Sequence, residues 1–356
     1  MFTSAFATIP SFEVVFLCKY DVAFRAFVIV FRVQFIVVEQ SSHIADFAQQ
    51  IYNNHLVYCL VFSSVIKPLI QEVKNTLLSD KKVRILVQRE DLIHPSISGN
   101  KWRKLKYNLL EAKQKGYVKV LTFGGAFSNH IVATAAAATE MKMQSVGLIR
   151  GEECLPLNPT LAQAKVFGMS FRYIDRQTYR EKSKIDWGQE FPKCYIIPEG
   201  GTNPLAIKGC EEIIRNIDFD VVCCACGTGG TIAGIINSLK PQQKAIGFPV
   251  LKGGNFLKNE IQKYVSSSNW ELCLDYHFRG YAKVNKNLID FMNSFKKTYD
   301  IPLDPLYTGK LFFGVFDLIK KDYFPEGTTI LLIHTGGLQG VAGINQRIEK
   351  KGWRIN

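Results

Sequence analysis

The chain has 356 residues, 47% of them hydrophobic and 21% charged, with a formal net charge of +13. That length exceeds what one hydrophobic core usually covers, so two domains sharing an interface are expected, and the composition excludes disorder as the main state. The positive excess would suit an anionic partner, but Lys and Arg are scattered without a basic run or an aromatic-basic repeat, so no nucleic-acid partner is expected.

The nine cysteines lack the even, spaced framework of a small secreted disulfide protein, and a reducing cytoplasm is the expected compartment. Cys223 and Cys226 have the C-x-x-C spacing of redox and zinc pairs. They sit in the apolar run VVCCAC with no second ligand pair nearby, which predicts buried strand cysteines and no metal site.

Residues 1–62 are rich in Phe and Val, and the first of the 27 glycines is Gly99. The apolar run at 26–31 is bracketed by Arg25 and Arg32, far short of the roughly 18–20 residues that span a bilayer. No membrane partner is expected. No basic n-region or clear cleavage site marks a signal peptide. The segment reads as an extra strand layer, a membrane-surface element, or upstream sequence translated from a misassigned start. Its scarcity of turn residues favours the last.

From about Ser63 strand and helix signals alternate with glycine turns between them, the pattern of an α/β fold with parallel sheets flanked by helices. A strand is predicted over 82–88, a helix over 100–116 ending at Gly116, and a strand over 117–123. GGAFSNH follows, then an alanine-rich helix, a strand ending at Arg150 and a helix within LNPTLAQAKVFG. YIIPEGG, VVCCACGTGG and TTILLIHTGG are further strand-to-glycine transitions, and no fixed-period repeat is visible.

In open α/β sheets ligands bind beyond the carboxyl ends of strands, where this sequence carries Gly124-Gly125, Gly227 to Gly230, and Gly336-Gly337. CGTGGTIAGI is the sharpest: an apolar strand, a glycine turn and a helix start, which together can cradle an anion on backbone N–H groups. It is neither a Walker A loop, lacking Gly-Lys-Ser/Thr, nor a dinucleotide fingerprint, because Ile232 stands where glycine is required. Read alone it is as compatible with an ordinary tight turn. Lys101 gives it weight: a phosphorylated aldehyde in the cradle would need one lysine amine, and the nearby charges of Arg103 and Lys104 would lower that ammonium's pKa. A lysine in a basic helix can equally be a solvated charge.

Seven motifs recur in order: QREDL from Gln88, SGNKWRKL from Ser98, TFGGAFSNH from Thr122, PEGGTN from Pro198, CGTGGTIAG from Cys226, LDPLYTGK from Leu303 and HTGG from His334. Over about 68–346 the chain resembles the pyridoxal-phosphate enzymes of the tryptophan synthase β fold type, specifically the 1-aminocyclopropane-1-carboxylate (ACC) deaminase and D-cysteine desulfhydrase group. The resemblance implies pyridoxal 5′-phosphate as cofactor and Lys101 as the Schiff-base lysine that also moves the substrate's α proton. It implies Ser128 on the substrate carboxylate, Asn129 on the cofactor's 3′ oxygen, Gly227, Thr228, Gly229, Gly230 and Thr231 as the phosphate loop, and Tyr307 as an active-site tyrosine. It further implies a large cofactor domain (63–108 with 212–356), an inserted small domain (109–211) and a homodimer, with the cofactor between the domains. Ser128 could instead cap the following helix, and Tyr307 could be a buried aromatic. Asn100, His130 and His334 could be packing or turn residues.

Two positions bear on the chemistry. Where the deaminase pattern has a glutamate after the tyrosine and a leucine in the H-x-GG loop, this chain has Thr308 and Thr335. Both are expected at the cofactor's pyridine nitrogen, where a hydroxyl gives a weaker electron sink than a carboxylate. That favours β-elimination from a small amino acid, giving pyruvate and ammonia, over ring opening. Phe127 stands where these enzymes usually carry glutamine, which alters the substrate pocket. The competing classes are a non-catalytic cofactor-binding protein and a basic nucleic-acid-binding protein.

Overall fold

The computed structural model describes residues 67–356 apart from Ser98; the segment 1–62, with its run at 26–31, lies outside the described residues. Ten strands follow in order: β1 Leu69–Val73, β2 Arg84–Arg89, β3 Lys119–Gly125, β4 Gln144–Arg150, β5 Ser170–Ile174, β6 Cys194–Ile197, β7 Val221–Cys226, β8 Lys244–Pro249, β9 Trp270–Leu272 and β10 Thr329–Ile333. They form a six-stranded sheet in the order β1-β2-β10-β7-β8-β9 and a four-stranded sheet in the order β5-β4-β3-β6. The helices that matter below are α1 Asn100–Gln114, α2 Asn129–Glu140, α3 Pro204–Cys210, α4 Gly230–Asn237, α5 Leu257–Gln262, α6 Lys286–Tyr299, α7 Thr308–Lys320 and α8 Gly340–Ile348.

Parallel pairing holds everywhere except at β1, which runs antiparallel to β2 with Leu69 opposite Arg89. The reason is the short link, residues 74–83, below the dozen or more that a parallel crossover needs. β1 is also an edge, polar in part and with Leu69 53% exposed, as an edge strand should be.

The six-stranded sheet is covered on both faces, and the alternation of side chains along each strand shows it. Ile330 and Leu332 of β10 enter one core with Ile85, Val87, Phe248 and Phe312, whereas Leu331 and Ile333 enter the other with Val222, Ile232 and Ile235. Each fully buried Leu or Ile contributes about 1.5–3 kcal/mol. The same alternation separates the C-x-x-C pair. Cys223 points into the first core and Cys226 into the second, both buried and free. Side chains on opposite faces of one strand cannot share a metal or a disulfide.

α1 ends at Gln114 with Gly116 at φ +77°, a C-terminal glycine stop. Its start is fixed by a closer approach. A Cβ on Gly99 (φ +66°) would stand 1.9 Å from the Thr335 carbonyl oxygen, so only glycine lets α1 begin against the loop after β10. The strand and helix pattern read from the sequence misses β1, β5, β8 and β9 and the helices α3, α5, α6, α7 and α8. α6 buries Leu288, Ile289, Met292 and Phe295 at helical spacing and is capped by the Asn285 side chain on the Leu288 N–H. Among the described residues no helix is long and apolar enough to cross a membrane.

Candidate active site

The loops after β3, β6, β7 and β10 and the first turn of α1 meet around a cavity of about 780 Å³. Lys101, Ser128, Asn129, Gly227, Thr228, Gly229, Thr231, Tyr307 and Thr335 all border it. Ser128 and Asn129 come from the loop after β3 of the four-stranded sheet and Gly227–Thr231 from the loop after β7 of the six-stranded one. Gly230 contributes as the first residue of α4, behind the lining.

Lys101 lies in the first turn of α1, and its ammonium is lowered to about 7, by burial first and by Lys104 second. Burial disfavours the charged form, so near neutrality a large share of this amine is the free base. Arg103, expected to share that role, points elsewhere. Its guanidinium donates to Glu90 at 2.9 and 3.1 Å and to Glu212 at 3.3 Å, a buried ion pair that fastens α1.

Lys104, one turn after Lys101, is 2% exposed and was missed by the sequence reading as a site residue in its own right. Its ammonium donates to the Gly200 carbonyl at 3.0 Å, to Thr202 Oγ1 at 3.1 Å and to Thr228 Oγ1 at 3.4 Å. A Cβ on Gly230 would lie 2.7 Å from Thr202 Oγ1 and 3.1 Å from Lys104 Nζ. The glycine loop therefore has a cation beneath it, and any side chain at position 230 would fill that space. Asn100 Nδ2 donates to Thr231 Oγ1 at 2.7 Å, tying the start of α1 to the start of α4. Residues three apart on a helix have Cβ atoms about 5–6 Å apart, and Lys101 and Lys104 both border the same cavity as Gly227–Gly229 and Thr231.

Ser128 occupies the N-cap position of α2 but makes no side-chain capping hydrogen bond. The capping role is therefore unfilled, and its hydroxyl remains at the cavity. Asn129 Oδ1 is buried without a hydrogen-bond partner, an acceptor whose desolvation costs about 1–3 kcal/mol unless a ligand satisfies it. His130 borders the cavity with Nε2 2.8 Å from Thr122 Oγ1, and burial, then Lys101 and Lys104, push its pKa well below the usual range. His334 is buried away from the cavity. It holds the Thr335–Gly337 loop through Pro302 O at 2.6 Å, Asp91 Oδ1 at 3.2 Å and the Gly336 N–H at 3.3 Å.

Tyr307 packs on the glycine loop, with its Cε1 3.1 Å from a Cβ built on Gly227. Its partner is Tyr281, a second residue the sequence reading missed. The ring centroids are 6.1 Å apart, edge to face. Burial, then Tyr281, raises the Tyr307 phenol well above its usual range, so it is a proton donor at neutral pH.

Thr308 departs from its expected place. It is fully buried, not on the cavity, and its Oγ1 accepts the Asp304 N–H at 2.8 Å and donates to Asp304 Oδ2 at 2.8 Å. Asp304 also receives the N–H groups of Leu306, Tyr307 and Thr308 at 2.8–2.9 Å, so this carboxylate caps α7 and Thr308 completes the cap. Of the threonine pair, Thr335 alone borders the cavity.

The model of the pyridoxal-phosphate dependent enzymes matches residues 72–336. A bifunctional D-cysteine desulfhydrase/ACC deaminase of Arabidopsis thaliana is 31% identical over 72% of this chain and 72% of its own. A provisionally named ACC deaminase of Pyrococcus abyssi is 32% identical over 73% of this chain and 86% of its own. The crystal structure of an ACC deaminase homologue superposes with a TM-score of 0.70 at 27% identity, covering 83% of this chain and 98% of that one. At 15% identity, an O-acetylserine dependent cystathionine β-synthase from Helicobacter pylori shares the fold (TM-score 0.59, 81% and 96% covered).

The residues present fit that cofactor. A buried amine whose ammonium is lowered to about 7 suits its aldehyde, the Gly227–Thr231 backbone over Lys104 suits its phosphate, and the unpartnered Asn129 Oδ1 suits a ring hydroxyl. With the family match, the relatives and the site in agreement, the chain belongs to the pyridoxal-phosphate dependent enzymes, in the group of the ACC deaminases and D-cysteine desulfhydrases.

Proposed function

We propose that the chain catalyses β-elimination on a small amino acid of the D-cysteine type, releasing sulfide with pyruvate and ammonia. The observation that carries the reading is the cavity wall at Thr335. The carboxylates on the described lining, Glu199 and Glu260, are held by Lys182 at 2.9 Å and Lys263 at 2.7 Å, and that of Asp304 is committed to backbone amides. A threonine hydroxyl leaves a pyridine nitrogen largely neutral, whereas a carboxylate would keep it protonated. When bound, pyridoxal phosphate supplies an electron sink for charge developing at the substrate's α carbon.

The chain's own groups do the rest. Lys101 would hold the aldehyde end of the cofactor and, as a neutral amine, would accept the substrate's α proton. The Ser128 hydroxyl and the start of α2 orient the substrate carboxylate. Lys104 and the Gly227–Thr231 amides hold the phosphate. Tyr307, kept protonated beside Tyr281, donates to the departing sulfur. Two lobes, 63–108 with 212–356 and 109–211, close over the substrate and exclude water. A homodimer belongs to the same reading and is checked by light scattering.

Ring opening of ACC is the second reading, supported by the names of the Pyrococcus and Arabidopsis relatives. Purified protein loaded with pyridoxal phosphate, incubated separately with D-cysteine, L-cysteine and ACC, distinguishes the two. Sulfide and pyruvate from a cysteine exceeding 2-oxobutyrate from ACC is the expected result. The reverse order overturns it, and a loaded protein that turns over none of the three is a cofactor-binding protein only.

A further inference from the structure

Among the described residues, Lys310 is the most deeply buried cation outside the site just described, 1% exposed, and no carboxylate there forms a salt bridge with it. Its ammonium instead donates to three main-chain carbonyls, Gly280 at 2.8 Å, His277 at 3.0 Å and Val250 at 3.5 Å. A buried charge without a counter-ion is costly unless fully hydrogen-bonded, so this one has a purpose to be found in what it gathers.

What it gathers is the segment that carries Tyr281. Residues 277–283 form two successive turns, closed by the Gly280 N–H on His277 O at 2.9 Å and the Lys283 N–H on Gly280 O at 3.2 Å. Phe278, Arg279 and Ala282 have φ of +52°, +69° and +55°, and Gly280 has +125°. Non-glycine residues enter that region at a cost and stay only when their surroundings hold them. The two carbonyls that close the turns are the two that Lys310 binds most closely. Lys310 is the third residue of α7, whose start presents Tyr307, while Val250 follows β8. One side chain thus ties the loop bearing Tyr281 to the helix bearing Tyr307.

We propose that Lys310 is a positioning residue, a tethered cation on a ring of carbonyls that sets Tyr281 against Tyr307 at the mouth of the cavity. This rests on the reading of the two tyrosines as active-site groups. Burial lowers the ammonium to about 8, against a smaller opposing effect of the Asp304 carboxylate, as desolvation without a directly paired anion should. The loop has two further anchors on α7, Tyr276 Oη on Asp317 Oδ2 at 2.7 Å and Phe278 edge-on to Phe313 at 5.1 Å. Loss of Lys310 should therefore loosen the turns without unfolding the chain.

The test uses the full chain with Lys310→Ala and Lys310→Gln, and it has two readouts. Limited trypsin digestion reports the loop directly, because Arg279 and Lys283 are exposed within it. Turnover of the substrate found active for the wild type reports Tyr281. For Lys310→Ala we expect cleavage at Arg279 or Lys283 at least tenfold faster, a tenfold or greater fall in kcat with little change in cofactor affinity, and partial rescue of both by ammonium or potassium ions but not by tetramethylammonium. Lys310→Gln, which keeps amide donors, should be intermediate and decides the question if the alanine variant does not fold. Wild-type trypsin sensitivity in both variants, or loss that small cations do not reverse, overturns the proposal. A wild type that binds cofactor but turns over nothing would instead sink the functional reading, leaving digestion and cation rescue to judge Lys310.

Discussion

The two ends of the cavity are built differently. At the anion end the contacts are main-chain amides, one buried lysine and threonine hydroxyls, set by the short glycine run after β7 and the first turns of α1. At the mouth the groups are side chains from separate segments: Phe127 after β3, Tyr281 from an irregular loop and Tyr307 at the start of α7. The first end rests on the backbone of one glycine run and on side chains from one turn of α1; the second rests on three side chains from irregular or terminal positions of separate segments. Damage at the first end should weaken cofactor binding, and damage at the mouth should change which substrate reacts and how fast.

The largest effect is expected from Lys101→Ala. The violet-region absorbance of the loaded protein should disappear and turnover fall by on the order of a thousandfold or more, with the far-ultraviolet dichroism unchanged; a loaded variant that keeps its colour would break the assignment. Thr308→Glu comes next and tests stability rather than chemistry. Beside Asp304, in a fully buried position, a second carboxylate should cost about 3 kcal/mol or more, read in a urea melt. A variant of wild-type stability that gained ring-opening activity would show that position 308 faces the cofactor after all.

Lys104→Met should weaken pyridoxal phosphate about 10–100-fold, the loss of a charge-assisted contact of roughly 1.5–3 kcal/mol. Unphosphorylated pyridoxal should be nearly unaffected, and an equal loss for both ligands would remove Lys104 from the phosphate end. The rate at which cofactor-free protein captures pyridoxal phosphate should rise through a midpoint of about 7 and then level, whereas an ordinary lysine near 10.4 would keep gaining. Because the unfolded chain holds this proton up to its ordinary pKa and the folded chain releases it earlier, cofactor-free stability should also rise with pH between those values. Lys101→Met should reduce that rise, and the remainder belongs to Lys104 and Lys310, whose ammonium groups burial also lowers. The smallest effect is at the mouth. Phe127, 43% exposed on the lining, replaced by Gln should shift kcat/KM between D-cysteine and ACC by roughly threefold to tenfold while leaving cofactor affinity alone.

Residues that act through the backbone or through one helical turn were legible in the sequence. Glycine runs after apolar strands identified the cradle because a missing Cβ is what an approaching anion requires, and Lys101 could be tied to them through the ordered motifs. Lys104 was within reach, since a second lysine three residues on shares the helix face of the first, yet it was read only for its charge. Tyr281 carried no such signal: the residues around it form no periodic element, and their positive-φ turns are held by a lysine nearly thirty residues later.

The sequence by itself determined the parallel α/β architecture, because hydrophobic periodicity and glycine placement are local properties with few physical solutions; the cofactor class came from the resemblance carried by the seven ordered motifs together, since neither the glycine run nor Lys101 specifies it alone. The partner of Arg103, the withdrawal of Thr308 into the Asp304 cap and the meeting of Tyr281 with Tyr307 were decided only by the tertiary structure. Each depends on which charges and hydroxyls are left to satisfy one another once the two sheets and α1 have packed.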